Sequence, residues 1–414
     1  MTKQKIFVSA YACEPGLGSE IGVGWHWVLE MSKYFDLWVL TRESNRQSIE
    51  PWITEHPEYS RIHFLYFDLP KWACFWKKGM RGVRLYYTIW QWSTNTIVRC
   101  IMRENHIEIY HLLTYGNALW PVSRYGKKQC FIWGPTSAGT VIPKDFTRHY
   151  RLKSRLKEII QRFVKKTLFL NFGFRSRCKY ADLILCKTDD TIQCVPMKYR
   201  AKCKQFTDVA VEIKDVSQYK YKTNENITNF LAAGTLVGWR NFDVLIEAFS
   251  EAVKETHSIR LRILGNGDEG ENLKRLIQKK GTEDFIEMVG QVKMYVYNQY
   301  MSECDVVINP CFREGAVTVS FDSMAFAKPL ICFDTKGYTY YFNEDYSRVL
   351  KNIKTRKDAI TYLKNTILEL TNKELRQNLG RRAKEQSSQF DWAHKGEKIY
   401  QEIWNCYNEW KKDK

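Results

Sequence analysis

Short apolar runs recur along this chain with amphipathic stretches between them, and that alternation constrains the fold more than any other feature. "KIFVSAYA" (5–12), "LWVLTRE" (37–43), "RIHFLYFDL" (61–69), "IEIYHLL" (107–113), "QCFIWGP" (129–135) and "DLILCKT" (182–188) read as strands in the first half. "ITNFLAAGTL" (227–236), "SIRLRILG" (258–265), "IEMVG" (286–290), "CDVVINP" (304–310) and "PLICFDT" (329–335) restart the pattern in the second. Helical stretches such as "WHWVLEMSKYF" (25–35) and "FDVLIEAFSEAVKE" (242–255) lie between them. Near-continuous apolar runs joined by helices predict parallel strands covered on both faces. With 414 residues, two domains are expected rather than one. The expected class is α/β, two Rossmann-like doubly wound domains facing across a cleft. The stretch from Lys204 to Thr228 is polar and weakly patterned. The expected boundaries are therefore 1–207, a linker at 208–225, a second domain at 226–390 and a terminal helix at 391–414.

Charge and composition limit the partners. The net charge of +18 suits a nucleic acid, an anionic membrane or a phosphorylated small molecule. The 12 cysteines are scattered without a C-x-x-C pair, which points to free thiols in a reducing cytosol. The apolar stretch Ile6–Ala12 reads as a buried first strand rather than the core of a leader peptide. No apolar run approaches the roughly 18 residues of a membrane span. A cytoplasmic chain is expected, at most peripheral on the inner face of the plasma membrane.

Loops that follow strands are where a doubly wound fold places ligands. "EPGLGSEIGVGW" (14–25) follows the first strand, with glycines at 16, 18, 22 and 24 ahead of helix amides that favour an anion. "AAGTLVGWRNFDVLIEAF" (232–249) opens with Gly234 and places Arg240 at a helix start. A cation there opposes the helix dipole unless an anion lies between them; a solvated surface arginine is the other reading. "RLRILGNGDEG" (260–270) contains Gly265-x-Gly267-x-x-Gly270 with Asp284 further on. That string fits a dinucleotide site and makes an NAD-dependent oxidoreductase the rival enzyme class. "REGAVTVSFDSMAFAKP" (313–329) carries Glu314 and Asp322 eight residues apart. A helix advances about 12 Å over that spacing, too far for an acid–base pair on one bond but suited to two ends of one elongated ligand. Arg313 has no assigned role in this pattern.

These loops, in this order and with the "FDW" at 390–392, give the chain a resemblance that covers nearly its whole length. It is similar to the retaining glycosyltransferases of family 4, of the GT-B fold and the group 1 polysaccharide type. The resemblance implies transfer of a sugar from a nucleotide-diphosphate sugar, UDP or GDP type, to a hydroxyl of a glycan acceptor. A lipid-linked acceptor in capsule, O-antigen or exopolysaccharide assembly is the expected case. It implies that Glu314 contacts the transferred sugar and Asp322 the ribose. Arg240 would clamp the diphosphate, with Gly234 and Thr235 in the same loop. Gly315, Ala316 and Val317 would face sugar and phosphate, Val292 the base, and Gly18 and Ser19 the donor from the first domain. Gly265 joins the donor-binding set, and His111 is a candidate for hydrogen bonds to donor or acceptor hydroxyls.

The chain departs from the family at Thr235, where an arginine is usual, and at Asp322, one methylene shorter than the usual Glu. Val317 and Ala327 replace frequent glycines. A nucleotide-sugar-binding protein without turnover is therefore an alternative. No metal and no cofactor are expected: no D-x-D occurs in the chain.

Two basic stretches address the acceptor side. Between Leu69 and Glu104 there is no acid, and Trp72, Phe75, Trp76, Tyr86, Tyr87, Trp90 and Trp92 alternate with lysines and arginines. "RHYRLKSRLKEIIQRFVKK" (148–166) is a basic amphipathic helix candidate. Both suit an anionic lipid surface, or equally an aromatic core with solvated charges. Nucleic acid is not expected as a partner.

Overall fold

The computed structural model describes residues 3–77, 82–120, 122, 128–138, 140–150, 152–212, 219, 226–313 and 317–414, leaving aside the side chains of Ser19 and Lys153. They form two compact units. Met1–Gly139, Thr167–Asp208 and Trp392–Lys414 make the first, and Thr140–Lys166 with Val209–Asp391 the second.

The first unit holds a seven-stranded sheet: β1 Lys5–Ser9, β2 Asp36–Thr41, β3 His63–Tyr66, β4 Ile109–Leu112, β5 Cys130–Thr136, β6 Leu183–Cys186 and β7 Cys203–Gln205. The spatial order is β3-β2-β1-β4-β5-β6-β7 and every pairing is parallel. The second unit holds six strands: β8 Thr228–Ala233, β9 Ile259–Leu264, β10 Ile286–Gly290, β11 Val306–Asn309, β12 Leu330–Phe333 and β13 Ser347–Leu350. Their order is β10-β9-β8-β11-β12-β13, again all parallel. Strand order reverses between β1 and β4 in one unit and between β8 and β11 in the other. These are the switch points at which a doubly wound sheet opens a crevice for ligands. Of the loops singled out in the sequence, 14–25, 232–249 and 313–329 follow or continue from β1, β8 and β11, whereas 260–270 follows β9.

One segment lies differently from the sequence reading, and the terminal helix, expected without an assigned unit, finds its place. Residues 140–166, expected in the first domain, pack with the second. Ile142, Phe146 and Tyr150 are buried in the second unit's core, and the Phe146 ring meets that of Phe312 edge-on at 4.8 Å. Three apolar residues at i, i+4 and i+8 within a basic stretch are enough to anchor it. The terminal helix, Trp392–Lys412, packs with the first unit: Cys406 Sγ lies 3.7 Å from Cys130 Sγ, and the Tyr407 hydroxyl donates to Glu108. The basic aromatic stretch divides. Tyr86, Tyr87 and Trp90 are core residues, whereas Trp72, Phe75, Leu85 and Trp92 are exposed.

Candidate functional site

In the second unit, the loops after β8 and β9 are pressed together at backbone distance. A Cβ on Gly265 would stand 2.0 Å from the Gly234 carbonyl oxygen, and one on Gly267 would stand 2.2 Å from that of Leu236. Hydrogen bonds from Gly234 N to Leu264 O and from Leu236 N to Asn266 O stitch the contact. The glycines of the dinucleotide-like string are thus explained by loop packing, on a strand that is not the first of its sheet. Gly234 also lets the Arg240 side chain fold back over it, since a Cβ there would lie 2.9 Å from Arg240 Nη1.

Arg240 ends a short 3-10 turn, Gly238–Arg240, and is followed by Asn241 in the left-handed region at φ 56°. Asn tolerates that conformation better than most residues, and here its side chain is put to use. Fully buried, it donates from Nδ2 to the Pro310 carbonyl (2.9 Å) and accepts from the Tyr150 hydroxyl (2.9 Å) at Oδ1. One residue therefore fixes the Arg240 loop to the segment that leaves β11 toward Glu314. Trp239 strengthens this link. The guanidinium of Arg240 lies 5.1 Å from its ring centroid and that of Arg313 lies 5.3 Å from it, both within cation–π range. Arg313 finds the role that the sequence left open: its Nη2 donates to both oxygens of Glu158 at 2.5 Å. Glu158 is buried, on the Leu152–Thr167 helix.

Glu314, Gly315 and Ala316 lie outside the described residues. Beyond them, Val317 is the N-cap of the Thr318–Ala325 helix, in extended conformation. That helix is fixed from below by a buried network, in which Ser320 Oγ and Tyr338 OH lie 2.9 Å apart and Asn309 Nδ2 reaches both. Asp322 is buried on the same helix and accepts from the Tyr297 hydroxyl at 2.8 Å. Burial, with the Asp322 carboxylate beside it, pushes the Tyr297 hydroxyl well above its ordinary pKa, so it stays a donor. Thr235 is exposed in the Gly234 loop, and Val292 is half-buried between β10 and the Met294–Glu303 helix.

In the first unit, Gly18 caps the Ser19–Ser32 helix. Glu20 in its first turn accepts from the backbone amides of Tyr115 (2.7 Å) and Gly116 (3.3 Å), joining the loops after β1 and β4. Gly24 sits where a Cβ would lie 2.0 Å from the Ala12 carbonyl oxygen, so it lets the helix pack closely on the loop after β1. His111 is fully buried on β4 beside Val8 of β1. Its Nε2 donates to the Gly134 carbonyl at 2.7 Å, and its ring meets Trp27. Burial pushes its pKa down to about 4, so the ring is neutral at physiological pH. Among the described residues no three His, Cys, Asp or Glu side chains gather as a metal ion would need.

The sequence pattern did not single out Trp239, Asn241, Tyr150, Glu158, Tyr297 or Glu20. Asn241 carried the best signal, an Asn directly before a helix; Glu158 showed only as the single acid of a basic helix.

Residues 214–386 match the family model described as glycosyl transferases group 1. Over these residues, within the second unit, the chain is similar to the group 1 glycosyl transferases. An uncharacterised glycosyltransferase of Methanocaldococcus jannaschii is 28% identical over 185 residues, 44% of this chain and 50% of that protein. One from Haemophilus influenzae is 24% identical over 151 residues, 32% of this chain and 42% of its own length. The chain thus spans about half the length, or less, of the curated relatives it matches. Among solved structures, the lipopolysaccharide outer core galactosyltransferase WaaB is 14% identical with a TM-score of 0.62, covering 97% of this chain and 99% of its own. Anabaena HepE, solved in complex with UDP and glucose, is 13% identical with a TM-score of 0.59, covering 97% and 100%. The chain therefore has the GT-B type of fold, two parallel-sheet α/β domains. The family match favours the transferase reading over the oxidoreductase one.

Proposed function

We propose that this chain is a retaining hexosyltransferase that uses a UDP- or GDP-sugar and extends a lipid-linked glycan at an anionic membrane face. The observation that carries the reading is the joining of the Arg240 loop to the Pro310–Arg313 segment by Asn241 and Trp239. This would set a diphosphate cation beside the approach to Glu314, at the switch point of β8 and β11. Similar folds solved with UDP support the choice of donor.

In this reading the bond from the anomeric carbon to the diphosphate breaks as the acceptor oxygen bonds to the same face of that carbon. The acceptor's proton passes to the departing phosphate. Arg240 and the amides at the start of the Thr318–Ala325 helix stabilise the charge that develops on the leaving group, in place of a metal. Glu314 binds the sugar hydroxyls and Asp322 the ribose, with Tyr297 holding the Asp322 carboxylate in position. For the membrane, the support is the set of exposed aromatics Trp72, Phe75 and Trp92 beside Lys71 and Lys77. Among the described residues no helix is long and apolar enough to cross a bilayer.

The test is a thermal-shift panel of UDP-glucose, UDP-N-acetylglucosamine and GDP-mannose, with NAD as control. One nucleotide sugar should raise the melting temperature. Arg240→Ala should weaken that ligand at least 10-fold, as expected for a lost charge-assisted contact worth about 1.5–3 kcal/mol. Glu314→Ala should abolish transfer with the fold intact. Turnover unchanged in both variants sinks the assignment, and binding without turnover in the wild type would leave a nucleotide-sugar-binding protein.

A further inference from the structure

The Leu152–Thr167 helix has two faces with different duties. Leu152, Leu156, Ile159, Ile160 and Phe163 form one stripe at helical spacing, each more than half exposed. Arg155, Lys157 and Lys166 are exposed along its flanks. The helix contains six basic residues and one acid, Glu158, and that acid is turned inward and buried against Arg313. The outward surface is thus apolar and cationic with no anion of its own. A contiguous apolar stripe of this size marks an interaction face. Its charge complements an anionic bilayer, on which such a helix lies with its apolar stripe among the acyl chains and its cations at the headgroups.

The inward face leads to the donor loop. Glu158 holds Arg313, Arg313 lies over Trp239, and Arg240 lies over the same ring. The same segment holds Asn241 through Tyr150. A buried carboxylate whose two oxygens share one guanidinium nitrogen is a stiff link, because separating the two leaves an unpaired buried charge. We propose that this helix is a membrane-read positioning element: when its apolar stripe docks on an anionic bilayer, the Glu158–Arg313 pair sets Trp239 and Arg240 for the nucleotide diphosphate. The inference rests on the nucleotide-sugar and membrane reading given above. It adds that the two sites are coupled, with Glu158 and Arg313 as positioning residues that touch neither donor nor acceptor.

The experiment measures UDP affinity by isothermal titration with and without vesicles of 30% phosphatidylglycerol in phosphatidylcholine, and vesicle binding by flotation. The wild type should bind the vesicles in a salt-sensitive way, and its UDP affinity should rise by about 3- to 10-fold on them, the range of a coupling of roughly 1 kcal/mol. Glu158→Gln should still float with the vesicles and lose that gain. The double variant Glu158→Gln/Arg313→Gln, which replaces the ion pair by two amides, should behave likewise if the single variant misfolds. Leu156→Ser/Ile160→Ser should lose vesicle binding and the gain together. Vesicle binding with unchanged UDP affinity in the wild type overturns the coupling and leaves the functional reading standing. So does a full gain in a folded Glu158→Gln or double variant. Absence of binding by UDP, and by GDP in the same titration, in every condition overturns the functional reading and the coupling with it. Self-association of the wild type, abolished by Leu156→Ser/Ile160→Ser, with no vesicle binding, assigns the stripe to a second copy and overturns the membrane role.

Discussion

His111 shows how much a single buried ring fixes. Its Nε2 faces a carbonyl, which only accepts, so that nitrogen carries the proton and Nδ1 carries the lone pair. Desolvation penalises the imidazolium more than the carbonyl contact favours it, and the folded-state pKa falls to about 4. The unfolded chain binds the proton near the ordinary value of about 6.5. The stabilisation is therefore fully present above pH 6.5 and is lost as pH falls toward 4, where both states are charged. Its full size is roughly 3 kcal/mol. His111→Asn keeps a donor for Gly134 but does not titrate. Urea unfolding at steps from pH 7 to 4 should show the wild type losing roughly that much more stability than the variant. Parallel curves would mean that water or a shifted backbone solvates the ring. At this scale the sequence was only partly legible. Residue types marked His111, Asp322 and Arg240, but not the partners Gly134, Tyr297 and Trp239, because those contacts arise from tertiary placement rather than from spacing along the chain.

At the scale of elements, strands that lie in the sheet interior are readable, because burial on both faces writes itself as apolar runs. The two strands without such a signal, β7 and β13, are edge strands of three and four residues. β7 is Cys-Lys-Gln, with no residue fully buried, and no apolar run could have marked it. Residues 140–166 look like a surface segment of the first domain because their charges outnumber the three apolar anchors that place them in the second unit. Glycine was the most informative residue type, though for packing as much as for ligand. Ala327 is the counterexample, an alanine at φ 56° directly after the Thr318–Ala325 helix. An L-residue pays about 1–2 kcal/mol in that region. Glycine would recover most of this, less the roughly 0.5–1 kcal/mol of its greater backbone entropy. Ala327→Gly should therefore stabilise the second unit by about 0.5–1 kcal/mol, visible as a small rise in its thermal midpoint. Gly380→Ala should act oppositely and more strongly, since its Cβ would stand 2.1 Å from the Ala327 carbonyl oxygen. Equal midpoints for wild type and Ala327→Gly would show that the backbone there relaxes.

For the whole molecule, the chain passes between its two units four times, the last two after Asp208 and after Asp391. On the first unit's side Lys395 lies against the residues that flank these last two passages. It is 7% exposed, its Nζ donates to the Thr207 carbonyl at 2.7 Å, and the rings of Trp27, Phe206 and Trp392 surround it at 4.8–5.9 Å. On the second unit's side Val211 pairs with Asp391. Burial brings the Lys395 pKa down to about 7, against a partial opposing pull from Asp208, which itself pairs with Lys187. The folded state sheds this proton near pH 7 and the unfolded chain near 10.4, so the lysine's contribution to stability is smallest below 7 and grows as pH rises toward 10.4. Lys395→Met keeps the apolar stem and removes the titration. Relative to that substitution, the wild type should gain roughly 3 kcal/mol between about pH 7 and 9.5, at about 1.4 kcal/mol per unit. Below about pH 6 the two stability curves should run parallel. Because two-domain unfolding need not be two-state, the readout is hydrogen exchange in the peptides around Thr207 and Trp392. After correction for the intrinsic exchange rate, protection there should rise with pH in the wild type and stay level in Lys395→Met, which places a neutral lysine at the crossing. A difference between the two proteins that stays constant from about pH 6 to 9.5 would instead mean that Asp208 keeps the ammonium charged within its aromatic cage.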